Sequence, residues 1–206
     1  MSPLLQKLPN IITGSRLLFA TGFLLLLGLS RQKMPDDPTQ LGDNIKTWMD
    51  WAFVLFVMGG LTDIIDGPLA RRLKVTGSFG RRFDPLVDKI FIAGGLILLA
   101  LYGYKLSGLA WWMVVIILGR EIFVTVIRHL SEYQGRQFAA TWAGKLKMFL
   151  QSFMIGTVVI YIAHCQNKTW ALWIRHVAVW TAVVFTVFSG LIYLPRMKHL
   201  KLKISE

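Results

Sequence analysis

The sequence predicts an all-α, polytopic membrane protein, with six transmembrane helices after a short interfacial helix at the N-terminus. Hydrophobic residues make up 54% of the 206 residues and charged residues only 17%, whereas a soluble domain carries about 25% charged residues. Several apolar runs reach the roughly 20 residues that a helix needs to cross the hydrocarbon core of a bilayer. Because no internal repeat or low-complexity segment divides the chain, we expect residues 1–206 to form a single membrane domain.

The N-terminal part of the chain predicts two spans separated by a polar loop. Residues 1–16 are mildly basic and place Pro9 near the start of a helix, which predicts a short helix at the membrane interface. The first span then continues to about Leu29. Residues 30–46 are polar and contain proline and aspartate, which predicts a loop. The second span covers roughly residues 48–73.

Four further apolar segments predict the remaining spans, which cover roughly residues 84–104, 109–130, 145–164 and 170–194. Six spans place both termini on one side of the membrane, and the loops on that side carry most of the lysine and arginine residues. Short loops rich in these residues stay in the cytoplasm. We therefore expect the inner (cytoplasmic) membrane as the location, with both termini and the connection between the second and third spans facing the cytoplasm.

The charge of the chain indicates a lipid surface as its partner. A net charge of +12 and a pI near 10.1 can also be typical of proteins that bind nucleic acid. In a membrane protein, however, this charge is better explained by cytoplasmic loops that face anionic lipid headgroups. We therefore predict membrane lipid, and no nucleic acid, as a partner. The single Cys165 excludes an internal disulfide.

Four aspartates stand out because they lie in or beside apolar helices of a chain with only 11 acidic residues. Asp63 and Asp66 are three residues apart, and Asp84 and Asp88 are four apart, so that each pair shares one helix face. An unpaired aspartate at the centre of a membrane helix costs about 3 kcal/mol. Divalent cations such as Mg²⁺, Mn²⁺ or Ca²⁺ could neutralise them, or else the neighbouring basic residues, Arg71, Arg72, Lys74, Arg81 and Arg82.

The spacing of these residues resembles a known family signature. "DIIDGPLAR", eight residues and then "GRRFDPLVD" are similar to the CDP-alcohol phosphotransferase pattern D-x2-D-G-x2-A-R-x8-G-x3-D-x3-D at every fixed position. The resemblance implies six membrane helices, a homodimer and two divalent ions, Mg²⁺ or Mn²⁺, in a cavity facing the cytoplasm. It also implies that Asp63, Asp66, Asp84 and Asp88 bind the metal ions and that Asp88 is the general base. The residues implied to line the CDP site are Asp66, Gly67, Ala70, Arg71 and Gly80.

Two other segments are similar to the bacterial phosphatidylglycerophosphate synthase branch of that family. One is "LPNIITGSR", in which Asn10, Thr13 and Arg16 are expected either to make polar contacts on the nucleotide side or to anchor the helix at the membrane interface. The other comprises "GREIFVTVIRHLSEYQG" and "AATWAGKLKMFLQ". The resemblance implies transfer of a phosphatidyl group from CDP-diacylglycerol to sn-glycerol 3-phosphate, with release of CMP.

Basic residues in these segments suit a phosphorylated acceptor. Arg120 lies within the fourth predicted span, where a charge requires a partner, and Arg128 lies about two turns further along, near the same face. We predict that a phosphate group binds Arg120, Arg128, Lys145 and Lys147. Glu121 is expected to point elsewhere on the helix and not to pair with Arg120. Arg128, Lys145 and Lys147 could instead be ordinary cytoplasmic loop residues.

Other acceptors and another class of protein remain as alternatives. Inositol phosphate would use the same basic pocket, whereas phosphatidylglycerol, which would give cardiolipin, needs a second lipid groove and fewer cations. A cation transporter could use the aspartates as a conduction cage. Transporter sites usually lie near the midplane of the membrane, often between two related halves, and the five neighbouring basic residues would oppose the passage of cations.

Overall fold

The computed structural model describes residues 3–37, 40–73, 78–133 and 142–193, and these are helical apart from short connections. The side chains of residues 3–13, 63–86, 132 and 143 lie outside this description. The helices are α1 (Pro3–Gln32), α2 (Asp43–Leu73), α3 (Ser78–Leu101), the single turn α4 (Tyr104–Ser107), α5 (Trp111–Tyr133), α6 (Trp142–Ile160) and α7 (Thr169–Leu191). A π-helical turn, Tyr161–Cys165, extends α6. No strand occurs among the described residues, so the all-α prediction is confirmed.

The prediction of a separate interfacial helix before the first span is wrong, because α1 is one continuous helix of 30 residues. Its buried positions recur at helical spacing, at Arg16, Ala20, Phe23, Leu27 and Ser30. One face of α1 therefore packs against the protein from Arg16 to Ser30. The loop predicted at 30–46 is also shorter, because α1 continues to Gln32 and α2 begins at Asp43.

α1 packs against both α2 and α3. The rings of Phe23, Phe56 and Phe91 meet here, with centroids 5.1–5.3 Å apart. Gly95 lets the helices approach, because a Cβ atom there would lie only 3.1 Å from the Phe23 ring. α6 packs against α2, α3 and α7, and α5 packs against α7 and α3. This arrangement brings α3, α5, α6 and α7 around one shared space.

The long helices run alternately up and down, which gives the bundle two distinct ends. We call the end at which α2 finishes and α3 begins the signature end; α5 and α7 also finish there and α6 begins there. At the opposite end, the hydroxyl groups of Ser30 and Tyr102 lie 2.7 Å apart, and Tyr102 donates a hydrogen bond to the Leu27 carbonyl. The guanidinium group of Arg175 donates to the carbonyls of Lys105 and Leu106. These bonds fix the turns between helices at the opposite end.

Within the described residues, two helical segments have the length and apolar composition needed to cross a membrane, Gly144–Cys165 and Thr169–Leu191. On the second, Trp173, Val177 and Val184 expose most of their apolar side chains. Exposed apolar faces of this size are unusual on soluble monomers and mark an interface with lipid or protein.

Candidate active site

The four signature aspartates lie where α2 ends and α3 begins. Asp63 and Asp66 lie in the last three turns of α2, and Asp84 and Asp88 lie in the first three turns of α3. Of these four side chains, only that of Asp88 is described. The predicted nucleotide-site residues lie on the same helices or on α1, and their side chains are outside the description: Gly67, Ala70, Arg71, Gly80, Asn10 and Thr13.

Asp88 is fixed by an ion pair that the sequence did not predict. Oδ1 of Asp88 accepts a hydrogen bond from Nη1 of Arg16, at 3.1 Å. The Arg16 side chain is 3% exposed and the Asp88 side chain 23% exposed. A buried guanidinium group on α1 thus orients a carboxylate on α3 that solvent or a ligand still reaches. The resemblance in the sequence had instead suggested that Arg16 contacts the nucleotide, together with Asn10 and Thr13.

The donor set at the signature end fits a divalent metal. Carboxylate oxygens are the ligands that hard cations such as Mg²⁺ and Mn²⁺ prefer. The Asp88 carboxylate is half-buried and oriented by Arg16, as ligands of a preorganised site are. Among the described side chains, no group of three or more histidines, cysteines or carboxylates could hold a metal ion. Metal binding by the four signature aspartates, three of whose side chains lie outside the description, stays a prediction.

A second charged cluster, formed by Arg120 and Glu121 on α5 and Lys147 on α6, lies at the same end. We call it the α5–α6 charge cluster. The ammonium group of Lys147 donates a hydrogen bond to Oε2 of Glu121, and Nη1 of Arg120 lies 3.5 Å from the same oxygen. The prediction that Glu121 would not pair with Arg120 is wrong. The Cβ atoms of adjacent helical residues diverge, but both side chains are long enough to meet beyond the helix surface.

The guanidinium group of Arg120 has an edge without a hydrogen-bond partner. The Arg120 side chain is only 9% exposed. Its Nε and Nη2 atoms are buried, yet they have no hydrogen-bond acceptor among the described residues. The group also lies over the Tyr193 ring, with Cζ 5.6 Å from the ring centroid. Buried donors are nearly always satisfied in native proteins. Two adjacent N–H groups on one guanidinium edge suit a bidentate oxyanion such as phosphate or carboxylate.

Lys89 is a further basic residue near this cluster, and it was not among the predicted site residues. Its Nζ atom donates a hydrogen bond to Oγ1 of Thr125, at 2.9 Å, and that hydroxyl donates to the backbone carbonyl of Glu121, at 2.7 Å. A sequence signal existed, because Lys89 follows Asp88 directly in an apolar helix, where a charge requires a partner. Lys89 therefore lies on the same helix as Asp88 and contacts α5, which carries Arg120.

Of the four residues predicted to bind the acceptor phosphate, the structure joins two. Arg120 and Lys147 meet through Glu121, and the Lys147 side chain is only 7% exposed. Arg128 and Lys145 are exposed residues towards the end of α5 and the beginning of α6. The buried pair therefore forms the inner part of a basic region, and the exposed pair lies closer to its rim.

Residues 6–188 match the CDP-alcohol phosphatidyltransferase family. The match covers most of the chain and includes both pairs of signature aspartates as well as the α5–α6 charge cluster. The chain belongs to the CDP-alcohol phosphatidyltransferase family. It is thus related to transferases that use a cytidine diphosphate-activated donor.

Several relatives whose names state an activity align with nearly the whole chain. A CDP-diacylglycerol–glycerol-3-phosphate 3-phosphatidyltransferase from Bacillus subtilis is 30% identical, over 89% of this chain and 91% of its own length. A probable phosphatidylglycerophosphate synthase from Mycobacterium tuberculosis is 33% identical, over 93% of this chain and 82% of its own. A relative from Mycoplasma pneumoniae, named like the Bacillus protein, is 28% identical, over 97% and 91%.

Proposed function

We propose that this member of the CDP-alcohol phosphatidyltransferase family transfers the phosphatidyl group of CDP-diacylglycerol to sn-glycerol 3-phosphate. The products are phosphatidylglycerophosphate and CMP. Family membership and the names of the relatives support the donor and the acceptor. The observation that carries the choice of a phosphorylated acceptor is the buried, unpartnered edge of Arg120, at the same end of the bundle as Asp88.

The proposed site is inside a membrane domain. The part of the chain that the structure describes contains six long helices, which supports six spans, and we propose that each of these helices crosses the inner membrane. Both termini and the signature end would then face the cytoplasm, where CDP-diacylglycerol headgroups and soluble glycerol 3-phosphate can meet. A single domain over residues 1–206 and a homodimeric state are parts of the same proposal, the latter supported by family resemblance.

The carboxylates of Asp63, Asp66, Asp84 and Asp88 would hold two divalent ions, Mg²⁺ or Mn²⁺, which offset the negative charge of the donor's diphosphate. The CDP moiety would lie against the small and polar residues of the signature. Gly67, Ala70 and Gly80 have a small side chain or none, so that a ligand can approach the backbone closely. The residues proposed to line this site are Asp66, Gly67, Ala70, Arg71 and Gly80, together with Asn10 and Thr13 from α1.

The proposed transfer step is an in-line displacement at the lipid-side phosphorus. Asp88 takes the proton from the acceptor hydroxyl, and that oxygen forms a new bond to phosphorus. The bond between this phosphorus and the diphosphate bridging oxygen breaks, and CMP leaves with that oxygen. Arg16 keeps the Asp88 carboxylate oriented through its contact with Oδ1. Productive geometry of this kind accounts for much of the rate enhancement in such reactions.

The acceptor's phosphate group would bind the basic region between α5 and α6. Nε and Nη2 of Arg120 would donate two parallel hydrogen bonds, and the ammonium group of Lys147 would supply a second charge nearby. Arg128 and Lys145 would attract the anion at the rim. This arrangement favours an acceptor with a dianionic phosphate over an uncharged alcohol.

A comparison of acceptors tests the proposed function. Purified protein is supplied with CDP-diacylglycerol and Mg²⁺, and CMP release is measured with glycerol 3-phosphate, inositol phosphate, serine or phosphatidylglycerol. We expect rapid release with glycerol 3-phosphate and far slower release with the others. Release with phosphatidylglycerol or serine alone would contradict the proposal, and a preference for inositol phosphate would replace the acceptor while retaining the phosphate site.

A further inference from the structure

The α5–α6 charge cluster contains a carboxylate at a place where an anionic substrate is expected. Glu121 contacts both Arg120 and Lys147, and a carboxylate beside a phosphate site could be expected to compete with the phosphate. We propose instead that Glu121 is a positioning residue, which orients Arg120 and Lys147 for the acceptor's phosphate group. This inference rests on the proposed function, since it assigns a role within the acceptor site.

The first argument is the geometry of the guanidinium group. Glu121 lies beside Nη1 of Arg120, through Oε2 at 3.5 Å. Nε and Nη2 form the edge on the other side of the same planar group, and these atoms have no hydrogen-bond partner in the described part of the chain. Because the guanidinium group is rigid and planar, holding Nη1 fixes the direction of the Nε–Nη2 edge. The carboxylate and a phosphate would therefore occupy different sides of Arg120.

The second argument is the balance of charge in a buried place. The side chains of Arg120 and Lys147 are 9% and 7% exposed, and two buried cations with no counter-ion would repel each other strongly. Glu121 supplies one negative charge between them. Arg120 and Lys147 together carry one positive charge more than Glu121 neutralises. Lys89, which donates to Thr125 one helical turn from Glu121, adds a further positive charge. The cluster is thus stable enough to exist without substrate, and it keeps a net positive charge for the phosphate.

The third argument is that Arg120 is confined on its other side by α7 and the residues after it. A Cβ atom on Gly190 would lie 3.1 Å from Cγ of Arg120, so glycine makes room for the arginine stem. The Tyr193 ring lies beside the guanidinium group, 5.6 Å from Cζ. With Glu121 on one side and Tyr193 on another, Arg120 has little freedom to turn. A side chain that is already held in place loses little conformational entropy when phosphate binds.

Kinetic constants of Glu121→Gln test this role. The amide retains the size of the side chain but no longer holds two cations. We expect the KM for glycerol 3-phosphate to rise about tenfold or more, as for loss of one partner of a buried ion pair. The KM for CDP-diacylglycerol should change little. Glu121→Asp, which keeps the charge on a shorter side chain, should recover part of the loss.

Asp50→Asn is the matched control. Asp50 forms an inter-helix pair with His164 at the opposite end of the bundle, with Oδ1 2.6 Å from Nε2. The control loses a carboxylate of similar type far from the site, and we expect both KM values to stay unchanged. An unchanged KM for glycerol 3-phosphate in Glu121→Gln would overturn the inference. A lower KM would show that Glu121 competes with phosphate, and equal rises for both substrates would show a general structural role.

A binding measurement separates this inference from the proposed function. Inorganic phosphate should raise the thermal unfolding temperature of the wild-type protein in detergent, and it should do so much less for Glu121→Gln. If wild-type protein releases no CMP with glycerol 3-phosphate, the proposed acceptor is wrong, but this difference in phosphate stabilisation still supports the role of Glu121. If phosphate stabilises both proteins equally, the role of Glu121 is wrong even when glycerol 3-phosphate is the acceptor.

Discussion

At the scale of single residues, Asp88 combines two features that a general base requires. It is partly exposed, so that a substrate can reach it, and its carboxylate is oriented by the buried Arg16. The signature spacing pointed to Asp88, but its partner could not be predicted from the sequence. Arg16 is 72 residues away along the chain, and only the packing of α1 against α3 brings the two together. Contacts of this kind depend on helix rotation, which local spacing does not determine.

Replacing Asp88 by asparagine tests its role in proton transfer. Asp88→Asn keeps the size of the side chain and its ability to accept a hydrogen bond from Arg16. We expect the variant to fold and to bind CDP, while kcat falls by about 10²- to 10⁴-fold, the usual contribution of a general base. CMP release and nucleotide binding are measured on the same preparation. Activity near that of the wild type would refute the assignment of Asp88 as the base.

Arg16 should act through Asp88 and not through the acceptor. Arg16→Met retains an unbranched apolar stem but removes the ion pair. We expect kcat to fall by about 10- to 100-fold, as when a group that orients a ligand or base is lost, with little change in the KM for glycerol 3-phosphate. Arg16→Lys should recover part of kcat. A rise in that KM with unchanged kcat would instead place Arg16 in the acceptor site.

Glu121 shows a limit of spacing rules at the same scale. Adjacent residues on a helix do not face each other, and on that ground Glu121 was not expected to pair with Arg120. The rule describes Cβ directions, whereas the charged atoms of arginine and glutamate lie several bonds further out. The burial of Arg120 and the partial burial of Glu121 favour their meeting. Lys89 contacts the same helix as Glu121, through Thr125, although it is not a fixed position of the signature.

At the scale of helices, the positions of the long segments could be predicted because apolar runs and polar connections alternate clearly. The ends of the helices could not be predicted from the same pattern. The predicted loop at 30–46 included residues that belong to α1 and α2, since polar residues at helix ends read like loop residues. A backbone hydrogen bond from Lys33 N to Leu29 O and the first-turn position of Asp43 support these longer helices.

Close packing of α1 against α3 depends on Gly95. Gly95→Leu would force its side chain against the Phe23 ring, which is already in contact with two other phenylalanine rings. We expect a loss of about 1–3 kcal/mol in the free energy of unfolding, the usual cost of overpacking. Gly60→Leu is the control, because a Cβ atom at Gly60 has no neighbour within 4 Å. Equal unfolding temperatures for the two variants in detergent would contradict this view of the α1–α3 contact.

The hydroxyl group of Tyr102 joins the C-terminal side of α3 to α1. This hydroxyl group donates to the Leu27 carbonyl and lies 2.7 Å from the hydroxyl group of Ser30. Tyr102→Phe removes both contacts and should lower the unfolding free energy by about 1 kcal/mol. Equal unfolding free energies of the variant and the wild type in detergent would contradict this role of the hydroxyl group.

At the scale of the whole molecule, the groups proposed for catalysis and for acceptor binding lie at one end of the bundle. Asp88 and Lys89 are neighbours on α3, and Lys89 contacts Thr125 on α5. Lys89 and Thr125 therefore link the helix of Asp88 to the cations that we propose bind phosphate. The sequence predicted this common end from the alternation of spans and loops. It could not predict which cations are buried, since that depends on how α5, α6 and α7 pack together.

The dependence of CMP release on both acceptor and metal tests the central claim most directly. Purified protein with CDP-diacylglycerol should release CMP at a rate that saturates with glycerol 3-phosphate. Chelation of divalent ions should abolish the reaction, and added Mg²⁺ or Mn²⁺ should restore it. CMP release at an unchanged rate without glycerol 3-phosphate, or in the presence of excess chelator, would contradict the account.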